Sequence, residues 1–91
     1  MKRTIWKYPL EITAKQVIEM PCDAQVLSLQ LQDGSPCIWV LVSPDAPKWE
    51  FTVMTFGTGH SVSDMPMMHI GTYQLQDGRL AFHCFIEQKQ Q

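Results

Sequence analysis

Hydrophobic and polar positions alternate along most of this chain with a period of two. In residues 25–32, Leu27, Leu29 and Leu31 fall on one side and Ser28, Gln30 and Gln32 on the other, the pattern of a half-buried strand. Residues 4–8 alternate in the same way. Residues 37–42 (Cys-Ile-Trp-Val-Leu-Val) are apolar on both sides, which predicts a central strand covered on both faces, with Trp39 in the core. Residues 49–56, 70–76 and 80–86 are rich in aromatic and β-branched side chains and are expected to be strands as well.

The punctuation agrees with this reading. Pro9, Pro21, Pro36, Pro44, Pro47 and Pro66 each turn the preceding residue away from the α region, so no long helix fits before residue 66. Asp33-Gly34 and Asp77-Gly78 sit between strand patterns, and Asp-Gly is a strong hairpin signal because glycine accepts a positive φ. The flanks of the shared Leu-Gln-Asp-Gly string diverge at once, so it is recurring turn chemistry and not an internal repeat. Thr13 and Gln16 have capping-box spacing, which predicts one helical turn at most, followed by a short strand over residues 17–20. Residues 43–47 form a Pro-rich turn, and residues 60–68 are the longest irregular stretch. The expectation is one all-β domain over residues 1–91, a small antiparallel sandwich or partly open barrel of about six or seven short strands.

Size and charge narrow the function classes. A chain of 91 residues buries only about 60–65% of its unfolded surface, so a deep cleft inside one copy is hard to build and a homo-oligomer is expected. Net charge is −2, with Lys and Arg scattered from Lys2 to Lys89 and only Lys2-Arg3 adjacent, which disfavours a nucleic-acid polymer as partner. No apolar run approaches the length of a membrane span and the N-terminus lacks the pattern of a signal peptide, so a cytoplasmic location with no membrane partner is expected. Cys22, Cys37 and Cys84 are odd in number and far apart, which fits reduced thiols.

Several strings together, Ile5-Trp6-Lys7-Tyr8-Pro9-Leu10, Met20-Pro21, Gly57-Thr58-Gly59-His60, Gly71-Thr72 and Phe82-His83-Cys84-Phe85, resemble a family of short proteins of unknown function encoded by bacteriophages and prophages. The resemblance runs nearly the whole length of the chain. It implies an accessory protein of a phage acting in the host cytoplasm, and it brings no catalytic residues with it.

The most suggestive segment is Gly57-Thr58-Gly59-His60-Ser61. Two glycines at a strand end let backbone approach a ligand and turn N–H groups toward an anion, with Thr58, His60 and Ser61 adding donors. It lacks the lysine and spacing of a P-loop, and a plain glycine turn is the competing reading. Trp6, Tyr8 or Trp49 could stack a base, and Lys7 or Arg79 could supply charge. His60, His69 and His83 lack paired-ligand spacing, and Met65-Pro66-Met67-Met68-His69 reads as packing rather than a copper string, so no metal or cofactor is expected. Cys84 cannot pair with adjacent His83 within a strand, and Ser61, Ser63, His60 and Asp64 crowd one loop, so a catalytic role is not expected. The expected function is non-enzymatic capture of a phosphate-bearing small ligand such as a signalling nucleotide, which would counter a host defence. The alternative is a protein-interaction module using a β edge or an aromatic patch, and a small phosphohydrolase comes third.

Overall fold

The computed structural model of the chain describes residues 2–62 and 64–89. It contains β1 (Thr4–Pro9), β2 (Lys15–Pro21), β3 (Gln25–Gln32), β4 (Ser35–Val42), β5 (Lys48–Gly57), β6 (Met68–Leu75) and β7 (Leu80–Lys89), with no helix among the described residues. All pairings are antiparallel, in a three-stranded sheet ordered β1-β4-β3 and a four-stranded sheet ordered β2-β5-β7-β6. The sheets are not closed into a barrel. Residues 58–67 carry the chain from β5 past β7 to β6. No helix long and apolar enough to cross a membrane is present among the described residues.

The core follows from alternation on the two inner faces. Ile38, Val40 and Val42 of β4 meet Met20 of β2 and Phe51 of β5, with Leu10 closing one end, while Val53, Tyr73 and Cys84 form a second buried group. Even residues of β4 face inward, so Trp39 and Leu41 fall on the outer side and are only half-buried. Trp39 is therefore not a core residue: the outer face of the three-stranded sheet has no second layer over it to bury an indole.

Two local expectations also change. The capping-box turn is absent. Residues 11–14 are irregular; the Gln16 amide accepts from the Glu11 N–H at 3.0 Å and donates to the Glu11 carbonyl at 2.9 Å, and the Ala14 carbonyl accepts the Thr55 N–H. A single helical turn with Pro21 close behind loses to cross-strand bonding. In β3 the register shifts between Val26 and Ser28, so Val26, Leu29 and Leu31 lie opposite the inward Val40, Ile38 and Pro36. Leu27, on that bulge, is 47% exposed instead of sharing a face with Leu29 and Leu31.

The hairpins form where Asp-Gly placed them. Asp33 (φ 52°) and Gly34 (φ 82°) make a two-residue loop with both central residues left-handed, as a type I′ turn requires. The second loop is longer: Gln76, Asp77 and Gly78 all have positive φ, and the Arg79 N–H returns to the Gln76 carbonyl.

Candidate functional site

The segment 57–60 is a turn before it is a site. The His60 N–H donates to the Gly57 carbonyl at 3.1 Å and Gly59 has φ +90°, the conformation that favours glycine at the third position of such a turn. The Thr58 N–H donates to the Ala81 carbonyl at 3.3 Å. Two backbone donors of the expected anion nest thus already hold carbonyl acceptors.

The side chains of the segment then part. His60 folds back over Gly57, where a Cβ would lie 3.0 Å from its ring, and lines a recess of about 230 Å³ with Ile12, Thr13, Ala14, Thr55 and Phe82. That is smaller than the roughly 300–1,000 Å³ typical of small-molecule sites. Thr58 turns to the outer face of the four-stranded sheet, where its hydroxyl lies 2.7 Å from His83 Nε2. Ser61 is exposed just beyond, and Ser63 lies outside the described residues. Trp6, Lys7 and Tyr8 belong to β1 in the other sheet. Trp6 and Tyr8 pack against the core, and Lys7 donates to the Gln32 side chain. Burial pushes the Tyr8 phenol up from its usual value. None of the three lines the His60 recess.

The polar chain begun by Thr58 continues. His83 Nδ1 lies 3.0 Å from the Thr72 hydroxyl, which lies 3.2 Å from His69 Nε2. Thr72 and His83 are direct cross-strand partners, so the sheet register builds the centre of this chain. A hydroxyl has one proton and can accept twice, and a neutral imidazole has one N–H and one acceptor nitrogen, so Thr72 either passes donation along the chain between Thr58 and His69 or accepts from both imidazoles. Where both imidazoles turn an N–H to Thr72, that oxygen accepts twice and its own proton must find an acceptor outside the chain. The group is then suited to an anion.

Aromatic rings flank it. His69 meets Phe85 edge-on at 5.2 Å and Phe85 meets Phe56 at 5.8 Å. Val17, 55% exposed, and half-buried Met54 lie on the same outer face. Sequence patterning assigns no site role to Phe85 or Phe56, and it raises His69 only as a metal ligand and His83 as a metal ligand or a partner for Cys84. Among the described residues no three His, Cys, Asp or Glu side chains are placed to share a metal ion.

Other features carry less chemistry. Burial pushes the Cys84 thiol up while the Thr55 hydroxyl, 3.5 Å away, pulls against it; a thiol so placed is a poor nucleophile. An open groove of about 1,020 Å³ runs between the two hairpins past Leu31, Gly34, Tyr73 and Asp77. The Tyr73 hydroxyl is buried without a hydrogen-bond partner among the described residues, and burial raises that phenol too.

No curated protein and no solved structure matches the chain. Over residues 1–91 it carries the pattern of one family, and the chain belongs to that family, described as a domain of unknown function (DUF7352).

Proposed function

We propose that the protein acts by binding, and that it captures a phosphate-bearing ligand on the outer face of the four-stranded sheet, beside the turn at Gly57 to Ser61. The observation that supports this is the pre-formed chain Thr58–His83–Thr72–His69. Phosphate oxygens would accept from the hydroxyls and imidazoles, and the half-buried Phe85 and Phe56 would pack against a base or other apolar part. Trp6, Tyr8 and Lys7 would then serve the core and the edge of β1 rather than the ligand. A cytoplasmic phage accessory protein that withholds a signalling nucleotide from a host defence would use such a site.

Titration calorimetry with mono-, di- and cyclic nucleotides tests it. Thr58→Val or His83→Gln should weaken binding about tenfold or more, and Gly59→Val should do so by breaking the turn. Folded, ligand-free protein that gives no heat with any member at about 100 μM would reject the reading.

A second reading, a protein-interaction module, is favoured by shape. The molecule is 16 Å across its thinnest axis, and an open face with Val17, Met54, Phe56 and Phe85 suits another protein's surface better than an enclosed ligand. If nucleotides fail, loss of a partner's binding on Phe85→Ser would support this second reading.

A further inference from the structure

The unpaired strand edges differ in what they can accept. β3 and β6, outermost in their sheets, lie against each other, with Leu29 packed on the backbone of Gly71. In β1 the Leu10 N–H donates to Pro36. The even residues therefore turn toward β4, and Ile5, Lys7 and Pro9 turn their backbone groups to the free edge. Pro9 has no N–H, and two-fold pairing centred on Ile5 or Lys7 would oppose Arg3 to Lys7, or Lys7 to itself. This edge is blunted in the way natural sheets avoid pairing.

The β2 edge has the opposite character. The Thr55 N–H donates to Ala14 and the Cys22 N–H to Pro47, so the even residues turn toward β5. Lys15, Val17 and Glu19 present their N–H and C=O groups to the free edge, and all three side chains are exposed on the outer face. We propose that a second copy of this chain pairs with β2, antiparallel, about a two-fold axis at Val17. Val17 then faces Val17 of the other copy, and Lys15 and Glu19 face Glu19 and Lys15. At each pair the two residues exchange both N–H···O=C bonds. Registers centred on Lys15 or on Glu19 would instead oppose like charges, and those centred on Gln16 or Ile18 would leave both charges without an opposite partner, so only the Val17 register pairs Lys15 with Glu19. The two four-stranded sheets become one continuous sheet, and the faces carrying Thr58, His69, Thr72 and His83 are displayed side by side.

Analytical ultracentrifugation at tens of micromolar tests this, with circular dichroism confirming that each variant is folded. Wild type should sediment as a dimer. Lys15→Glu alone and Glu19→Lys alone should each weaken association about tenfold or more. The double variant Lys15→Glu/Glu19→Lys should recover it, and an equimolar mixture of the two single variants should form a heterodimer. A wild-type protein that sediments as a monomer near 10.5 kDa would overturn the proposal. So would a dimer indifferent to both single charge reversals. Neither result bears on the ligand proposal, which rests on different residues.

Discussion

At the scale of single residues, Asp23 shows how one side chain ties two parts of the sandwich. Its carboxylate accepts the Ser43 N–H at 3.0 Å and the Ser43 hydroxyl more closely, with Arg3 Nε at 3.7 Å. Ser43 is 3% exposed, so it takes its partner from the surface. The Ser43 hydroxyl and N–H, more than Arg3, hold the Asp23 carboxyl below its usual value of 3.8. A lowered native pKa means stability present above 3.8 and lost as pH falls through the lower native value. Asp23→Asn should therefore lower the melting temperature at pH 7, and its deficit relative to wild type should shrink toward pH 2. A deficit constant across that range in thermal melts would show that Asp23 works through packing alone. Nothing in residues 20–24 announces this contact, because Ser43 is distant in sequence.

At the scale of elements, the β3–β6 contact depends on one glycine. Gly71 has φ +153°, and a Cβ there would stand 2.7 Å from Leu29 Cβ. It sits at a register shift between His69 and Gly71 in β6, a bulge that brings the backbone close to the opposite sheet. Gly71→Ala should cost about 2 kcal/mol or more from backbone strain and overpacking. In a Leu29→Gly background the same change should cost measurably less, since the Cβ, Cγ and Cδ2 atoms that the new methyl would meet are gone. Equal costs in both backgrounds, by chemical denaturation, would remove Leu29 from the explanation. The hairpins were legible because Asp-Gly chemistry is local. The bulges at Leu27 and at Gly71 were not, because an extra residue in a strand leaves the alternation readable on both sides and hides the slip between them.

At the scale of the whole molecule, burial divides the cysteines, with Cys84 between the packed sheets and Cys37 on the outer side of β4. Cys84 and Cys37 are 0% and 4% exposed, while Cys22 is intermediate. A thiol reagent at pH 8 should modify Cys22 quickly in the native protein and reach Cys37 and Cys84 only as it unfolds. Rapid modification of Cys84 in native protein would contradict a sealed core. The same packing separates the expected ligand residues: β1, with Trp6, Lys7 and Tyr8, is in one sheet, and Gly57 to Ser61 extend from the other.

Alternation, proline spacing and Asp-Gly turns, all effects of neighbouring residues on one another, were enough to determine from the sequence an all-β chain, its seven strands to within a few residues and its two hairpins. Tertiary structure decided which strands share a sheet, that Trp39 faces outward, and that Thr58 meets His83. Once the Gln76 to Arg79 loop sets Leu75 opposite Leu80, Thr72 falls opposite His83 by counting. Phe56 reaches His83 only through the β5–β7 pairing, which joins strands distant in sequence. Such pairings are chosen by burial of the whole core, a collective energy that no single segment of the chain carries.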